Sequence, residues 1–366
     1  MAAQRLIALD VLRGLTIALM IMVNNPGSWA FVYPPLRHAK WHGCTPTDLV
    51  FPFFLFIVGV SMWFSFKKFG DGISKEGLKK VLKRTLIIFG LGLFLNLFPY
   101  FNFEKLRVFG VLQRIAVAYG IGALLCMQFN TKQLKYIVGF ILVGYWMLLY
   151  FGSAEGPYDL ATNVVRKFDL FILGESHVYK GFGIPFDPEG ILSSIPAVAT
   201  VILGYYAGKI IEGAKSTIQG VKGLVAYGVV GVIIGLIWNM VFPINKALWT
   251  SSYVVYVGGL AMLFLALLIY LIDIKKWERW SRPFVHFGMN PLFIYMFSGI
   301  YVQIIIYLVK IQVDGEKISG YGYLYKQVFV PIAGNMNGSL LFAVSHIVVF
   351  WFLTYLLYKR KIFIKI

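Results

Sequence analysis

The chain has 366 residues, of which 59% are hydrophobic and 14% are charged, and its mean hydropathy is +0.74. These values exclude a soluble globular protein. The net charge of +18 is compatible with binding to nucleic acid as well as with contact to a membrane surface.

About ten apolar segments are long enough to cross a bilayer. They lie near residues 8–24, 48–66, 83–101, 108–128, 134–151, 190–207, 222–242, 251–272, 284–309 and 340–358. Because they fill the chain, we predict an all-α polytopic membrane protein whose residues 1–366 form a single transmembrane domain. Most connections are short, which favours a bundle of antiparallel neighbouring helices. The two longest connections, 152–189 and 310–338, are candidate lids because they are rich in glycine and aromatic residues.

The basic residues concentrate in alternate connections. Residues 67–84 hold seven lysines and arginines, and the basic segments 275–282 and 359–365 fall on the same side of the predicted membrane. This asymmetry follows the positive-inside rule and predicts that both termini are cytoplasmic. We therefore interpret the charge as a topology signal and an anchor to the lipid bilayer, with no nucleic-acid partner. Residues 8–24 resemble a signal peptide, but no small-residue cleavage site follows, so we expect an uncleaved first span.

Polar residues follow one stripe of the first span. Asp10 and Arg13 share a helix face, and Asn24 returns to within about 40° of Asp10. Either the Asp10–Arg13 pair is structural and Asn24 caps the helix, or these residues belong to a site, because polar groups at membrane depth are costly. On the inner side, Asn290 and Pro291 indicate a broken helix lining a cavity.

The connection after the first span carries two histidines, a thiol and a carboxylate. His38, His42 and Asp48 could bind a metal, but H-E-x-x-H or cysteine-pair spacing is absent. Cys44 could act as a nucleophile beside His42. We favour a third interpretation, in which one histidine, His38 ahead of His42, is a general base steadied by a carboxylate, and we predict no metal. The expected crossing directions place further polar residues in the same outer vestibule: Asp48, Asn96, Arg114, Asn239 and His346.

Several motifs follow one another along nearly the whole chain. They are Arg5-Leu6-x-x-Leu9-Asp10-Val11-Leu12-Arg13-Gly14, Val23-Asn24, His38-Ala39-x-Trp41-x-Gly43, Asp48-Leu49-Val50-Phe51-Pro52-Phe53, Gly110-Val111-Leu112-Gln113-Arg114, Phe186-Asp187-Pro188-Glu189-Gly190, Ser194-Ile195-Pro196-Ala197, Asn245-Lys246-x-Leu248-Trp249, Gly288-Met289-Asn290 and Lys361-Ile362-Phe363. In these motifs the chain resembles the heparan-alpha-glucosaminide N-acetyltransferase family of transmembrane acyltransferases.

The resemblance implies transfer of an acetyl group from cytosolic acetyl-CoA to the amine of a glucosamine-type sugar across the membrane. It implies that His38 is the active-site histidine and Asn24 its partner, the first as general base and the second as donor to the oxyanion. Asp48, or else Asp187 or Glu189, would orient the imidazole. An acetyl-histidine intermediate is the alternative to direct transfer. Substrate-binding candidates are Asp10, Arg13, Trp41, His42, Arg114, Asp187, Glu189 and Asn290.

The chain departs from the animal members of that family. It lacks their amino-terminal luminal domain, and His42 stands where they tend to have asparagine. We therefore expect a bacterial member in the cytoplasmic membrane, and the family's dimers make a homodimer a candidate state. The rival from another class is an amino-sugar transporter. Transporters often pair broken helices in two related halves, and only one such helix is indicated here, near Asn290. A receptor without turnover would leave the histidine segment unexplained.

Overall fold

A computed structural model describes residues 6–66, 72–313 and 315–364 of the chain. Arg5, Lys67, Lys68 and Lys365, which contribute to the sequence motifs and the charge pattern, lie outside the described residues. The α-helices are α1 Ile7–Asn24, α2 Pro46–Phe66, α3 Lys75–Leu97, α4 Val111–Gln128, α5 Thr131–Phe151, α6 Val164–Leu173, α7 Ser194–Gly213, α8 Thr217–Trp238, α9 Ser251–Leu268, α10 Arg282–Met289, α11 Pro291–Gln303, α12 Gly320–Tyr323 and α13 Val330–Lys359.

Shorter elements join these helices. Single 3-10 turns lie at Pro34–Leu36, Phe103–Lys105, Glu175–His177 and Arg279–Ser281, and π-helical segments at Ile269–Ile274, Ile304–Leu308 and Leu324–Phe329. The strands β1 Lys310–Val313 and β2 Glu316–Ser319 form an antiparallel hairpin in which Lys310 pairs with Ser319. The predicted all-α class is therefore confirmed, with one small hairpin added.

The predicted spans lie largely in helices. Nine helices of the described chain are long and apolar enough to cross a membrane, and α3, which contains most of the predicted span 83–101, is not among them. It begins at Lys75, where the Ser74 hydroxyl accepts the Gly77 N–H, rather than near residue 83. An apolar window detects only the part of a helix that matches the bilayer, so it misses the charged first turns of α3. Similarly, α13 begins at Val330, inside the predicted loop 310–338.

Glycines let the central helices approach closely. A Cβ atom at Gly59 of α2 would overlap the carbonyl oxygen of Val201, and one at Gly204 of α7 would overlap that of Phe56. Small residues at such crossings bring two backbones into contact, the usual way in which membrane helices pack. The α2–α7 pair therefore forms a rigid centre beside α1, α4 and α9.

The predicted helix break lies at Asn290. This residue has non-helical angles (φ −131°, ψ 49°) between α10 and α11. Its amide donates to the carbonyl oxygen of Ile362 at 3.0 Å and accepts the N–H of Ile364 at 2.8 Å. The break is confirmed, and the amide that causes it holds the last described residues of the chain.

The helices alternate in direction, so the bundle has two ends. We call the end where α1 begins the near end and the opposite one the far end. Five connections meet at the far end: 25–45, 98–110, 152–193, 239–250 and 309–329. The last of them covers the end of α1, where Tyr321 donates its hydroxyl to Pro26. Chemistry-bearing loops from distant parts of the sequence are thus gathered on one side.

Candidate active site

A cavity of about 270 Å³ lies among four of the far-end connections. Its polar and aromatic lining residues are His38, Lys40, Trp41, Asp48, Arg107, Tyr179, Phe182, Glu189 and Lys246. We call it the outer cavity. It unites four of the predicted site residues (His38, Trp41, Asp48 and Glu189).

The pair His38 and Asp48 is the chemical centre of the outer cavity. The Nδ1 atom of His38 lies 2.6 Å from Oδ1 of Asp48. The carboxylate is 1% exposed, whereas the histidine side chain is 44% exposed. The other carboxylate oxygen accepts the N–H groups of Ala39 and Thr45, each at 3.0 Å. A carboxylate fixed in this way favours the proton on Nδ1 and leaves Nε2 free to accept another.

Lys246 adds a positive charge next to this pair. Its ammonium nitrogen lies 3.4 Å from Oδ1 of Asp48 and 3.2 Å from Nδ1 of His38. Its loop is joined to the histidine loop by a hydrogen bond of 2.8 Å from the Gly43 N–H to the Ile244 carbonyl. Lys246 was missed as a candidate, although its position in the Asn-Lys-x-Leu-Trp motif after an apolar span was a usable signal.

Arg107, also missed, organises the acidic side of the cavity. It binds Asp187 through two hydrogen bonds of 2.9 and 2.7 Å and Glu189 through one of 2.6 Å. Burial alone would lower the pKa of Arg107, but the two carboxylates raise it above its ordinary value. Burial likewise opposes the lowered pKa of Glu189, which Arg107 and Arg114 produce. Asp187 and Glu189 are therefore bound to Arg107 rather than to His38.

Trp41 forms an aromatic wall with two phenylalanines. Its ring centroid lies 5.8 Å from that of Phe182 and 5.3 Å from that of Phe186, both nearly edge-on. The indole N–H donates to the Tyr158 carbonyl at 2.8 Å, which fixes the ring. The predicted lid 152–189 thus supplies two sides of the cavity, the aromatic one and the acidic one.

His42 and Cys44 lie beside the outer cavity without lining it. Nδ1 of His42 is 3.3 Å from the amide nitrogen of Asn245. Burial lowers the pKa of His42, although Asp159 opposes the shift, so this imidazole is a neutral acceptor. Burial raises the pKa of Cys44 to about 12, which leaves a neutral thiol and argues against a nucleophile. Across the part of the chain that the structure describes, no group of three His, Cys, Asp or Glu side chains could hold a metal.

Arg114 supports the segment that carries Glu189 from the interior of the bundle. It lies in the first turn of α4, because the helix begins at Val111. Its guanidinium donates to the Ser193 hydroxyl and the Gly190 carbonyl and stacks 4.8 Å from the centre of the Trp249 ring. It is fully buried and holds the Glu189 segment in place.

Asn24 faces a neighbouring cavity rather than the outer one. That cavity, of about 260 Å³, is lined by Asn24, Asn25, Leu95, Asn96, Tyr295 and Gln303 among others, and we call it the amide cavity. Asn96 donates to the Arg107 carbonyl at 2.7 Å, so the two cavities are adjacent. Asn239 instead caps its own loop through the Ile244 N–H, and His346 is buried against aromatic rings in α13. The predicted single vestibule is thus divided.

A third cavity, of about 390 Å³, enters the bundle at the near end, and we call it the inner cavity. Its mouth carries Arg13, Lys80 and Arg84, and its depth is apolar. Arg13 contacts Ser61 at 2.7 Å and Asp10 at 3.4 Å. The predicted residues Asp10, Arg13 and Asn290 therefore all belong to the near half of the bundle.

The inner cavity extends close to the outer one. Leu112 and Tyr295 line its deepest part, while Val111, the residue next to Leu112, lines the outer cavity. Met20 and Tyr295 also line the amide cavity. The first turn of α4 therefore lies between the basic inner cavity and the outer cavity that holds His38.

Comparison with known proteins gives this arrangement its context. Residues 5–223 match the family described as heparan-alpha-glucosaminide N-acetyltransferase, catalytic. The chain belongs to this family. The match includes His38, Arg107 and Glu189 but ends before Lys246, so the family region alone does not contain the full outer cavity.

Two relatives are named heparan-alpha-glucosaminide N-acetyltransferase. The human protein is 27% identical over 425 aligned positions, which cover 99% of this chain and 60% of that protein. The mouse protein is 28% identical over 358 positions, which cover 81% of this chain and 53% of that protein. The chain therefore spans little more than half the length of these curated relatives.

Proposed function

We propose that this family member is a membrane acetyltransferase that moves an acetyl group from acetyl-CoA to the amine of a glucosamine-type sugar. The single observation that carries the proposal is the His38–Asp48 pair in the outer cavity, separated by one helical turn from a basic cavity that opens at the opposite end. Both termini would be cytoplasmic, so that donor and acceptor enter from opposite sides of the membrane.

His38 would act as the general base. The acceptor amine attacks the thioester carbonyl, Nε2 of His38 takes the amine proton, and the carbon–sulfur bond breaks as CoA leaves with that proton. Asp48 is a positioning residue, since its hydrogen bond to Nδ1 stabilises the imidazolium formed on the way. The buried, fully bonded carboxylate supports this role better than Asp187 or Glu189, which are bound to Arg107.

Charge that develops on the carbonyl oxygen needs a donor. Lys246 is the cation nearest to His38, and a preorganised donor of this kind contributes on the order of 10²–10³ in rate. Asn24 would reach the same oxygen only if the thioester enters by way of Met20 and Tyr295, which line both the inner and the amide cavity. Both residues are therefore assigned to the transfer step, Lys246 first.

The inner cavity suits the donor. Phosphate groups would meet Arg13, Lys80 and Arg84 at the mouth, because phosphate binds such cations through charge-assisted hydrogen bonds. The apolar depth between Phe54 and Leu112 would take the thin pantetheine arm. Acetyl-CoA is a co-substrate here, and the arm would bring its thioester to the first turn of α4.

The outer cavity suits the acceptor. Ligand sites combine an apolar or aromatic wall with a few fixed polar groups. Trp41 and Phe182 would bind the apolar face of a sugar ring, and Glu189 would bind its amine or hydroxyl groups. We assign the protein to the cytoplasmic membrane of a bacterium, with a homodimer as the candidate oligomeric state.

The proposal is tested with purified protein in sealed vesicles, with labelled acetyl-CoA on one side and glucosamine on the other. Acetylated sugar should appear with the wild type and not with His38→Ala. Lys222→Gln serves as control, because Lys222 is an exposed residue of α8 near the opposite end of the bundle. Label bound to the protein without acceptor would indicate an acetyl-histidine intermediate; its absence with normal turnover would indicate direct transfer. Full activity of His38→Ala, or glucosamine crossing the membrane unmodified, would overturn the proposal.

A further inference from the structure

A groove of about 700 Å³ lies at the near end, away from the proposed reaction, with walls from α5 and α8 and a floor from α7 and α9. The floor and lower walls are apolar and include Val138, Leu203 and Met262, and the upper rim carries Lys135, Lys209 and Gln219. We call it the lateral groove.

The two lysines lie at the depth of lipid headgroups. Lys135 is four residues after the start of α5 and Lys209 is four residues before the end of α7. Both are therefore about 6 Å from the end of a membrane-spanning helix, given a rise of about 1.5 Å per residue. The groove then continues from this rim into the apolar part of the membrane.

The rim of the groove is positively charged and has no carboxylate beside its lysines among the lining residues. No acidic residue lines the groove among the described residues, and the nearby Glu212 accepts the indole N–H of Trp63 instead. Lys209 donates to the Thr131 hydroxyl at 2.6 Å, which fixes its ammonium group at the rim. The side-chain ammonium group of Lys135 makes no hydrogen bond or ion pair within the part of the chain that the structure describes.

The two helices that form the walls of the groove also carry exposed apolar residues. Phe140 of α5 is 79% exposed and Val230 of α8 is 52% exposed, as expected for helices at the edge of a bundle in a bilayer. Basic pockets between membrane helices bind anionic headgroups, and each lysine near the surface adds to the attraction.

We propose that the lateral groove binds one anionic phospholipid, with its phosphate between Lys135 and Lys209 and an acyl chain along Leu203 and Met262. This site is independent of the proposed acetyl transfer. Selectivity for an anionic over a zwitterionic headgroup comes from the two lysines, and overall lipid retention comes from the apolar trough.

The test is native mass spectrometry of the detergent-purified protein with equal amounts of phosphatidylglycerol and phosphatidylethanolamine of the same acyl chains. The wild type should retain phosphatidylglycerol in about tenfold preference, and Lys135→Gln with Lys209→Gln should bring the ratio close to one. The matched control is Lys222→Gln with Lys359→Gln, two lysines of the same end that do not line the groove. An unchanged ratio in the groove variant, or an equal loss in the control, would overturn the proposal.

A second variant tests the apolar trough. Gly223→Leu in α8 would project into the groove, where a Cβ atom comes 2.8 Å from the Cγ2 methyl group of Ile210, so the Ile210 side chain has to shift. Leucine favours a helix over glycine; with folding checked by an unchanged melting temperature, both lipids should be lost. If Gly223→Leu instead dissociates a dimer without loss of lipid, the groove faces a second copy and the lipid site is refuted. Competition by inorganic phosphate without any effect of Gly223→Leu would likewise assign the rim to free anions.

Discussion

At the scale of single residues, one buried carboxylate organises the histidine loop. Asp48 accepts hydrogen bonds from His38, Ala39 and Thr45 and pairs with Lys246. The sequence was sufficient to propose the pairing of His38 with Asp48, because both flank one short connection between two spans. It was not sufficient to find Lys246, which comes from a loop about 200 residues later and meets the histidine only through the packing of distant helices.

Asp48→Asn tests whether Asp48 positions His38 for the reaction or only stabilises the fold of the loop. The amide keeps the volume of the carboxylate but presents an N–H₂ group or a neutral oxygen to His38, which disturbs the tautomer that leaves Nε2 free. We expect the acetyl-transfer rate to fall by on the order of 10²–10⁴, measured as kcat with purified protein. Cys44→Ser in the same loop is the control and should retain activity, because its thiol is neutral. Wild-type kcat in Asp48→Asn would show that the pair is only structural.

Lys246→Met tests whether the charge beside His38 contributes to transfer. Methionine fills a similar volume without the charge, so the rate should fall on the order of 10²-fold with little change in KM for acetyl-CoA. Lys246→Arg should recover part of the rate, since the cation is restored. A methionine variant with unchanged kcat would remove Lys246 from the reaction.

The buried carboxyl group of Asp169 should make the free energy of unfolding depend on pH. Its Oδ1 accepts the N–H groups of Ile191 and Leu192, while Oδ2 has no partner among the described residues, and burial raises its pKa to about 7. Between about pH 4 and 7 the folded protein holds a proton that the unfolded chain, with its ordinary pKa, releases. The free energy of unfolding should therefore fall as pH rises through this window, and the contribution is lost above about pH 7.

Asp169→Asn should remove that dependence. Its melting temperature in detergent should match the wild type near pH 4 and exceed it at pH 8, because the asparagine cannot ionise. The exposed Asp159→Asn in the same loop is the control and should leave the wild-type profile unchanged. Parallel profiles for wild type and Asp169→Asn would contradict the assigned pKa.

At the scale of elements, apolar periodicity located the spans but not their ends. The window for α3 was placed several residues late, since its first turns are charged and lie beyond the bilayer. The break at Asn290 was predictable because an Asn-Pro step interrupts an apolar run. The hairpin at 310–319 was missed, although the Asp-Gly dipeptide at 314–315 between two short alternating segments was a usable turn signal.

The α2–α7 crossing depends on the absence of a side chain at Gly204. A methyl group there would meet the Phe56 carbonyl, which is backbone and cannot rotate away. Gly204→Ala should therefore destabilise the protein by about 1–3 kcal/mol, seen as a lower melting temperature. Gly139→Ala in α5 is the matched control, because its Cβ would meet nothing within 4 Å, and it should be neutral or slightly stabilising. Equal melting temperatures for both variants would argue against a close crossing.

At the scale of the whole molecule, the proposed reaction needs two cavities that open at opposite ends and approach each other inside the bundle. Charge asymmetry in the sequence predicts that the near end is cytoplasmic, and the basic residues Arg13, Lys80 and Arg84 of the inner cavity lie toward that end. The division of the far side into an outer and an amide cavity was not predictable, because it depends on how Asn96, at the end of α3, bonds to the backbone of Arg107 in the connection that follows. Donor binding and group transfer should therefore be separable by substitutions at the two ends of the inner cavity.

Lys80→Gln with Arg84→Gln changes the mouth of the inner cavity, and Val58→Phe narrows its depth. Loss of two phosphate partners should raise KM for acetyl-CoA by on the order of 10–10²-fold with kcat retained, whereas the narrowed depth should lower kcat because the thioester stops short of His38. Acetyl-pantetheine lacks the nucleotide, so its turnover should be unchanged in the mouth variant. Its turnover should still be lost in Val58→Phe. If Val58→Phe turned over both donors at the wild-type rate, the acyl group would have to reach His38 without passing through the bundle. The inner cavity would then have no part in transfer.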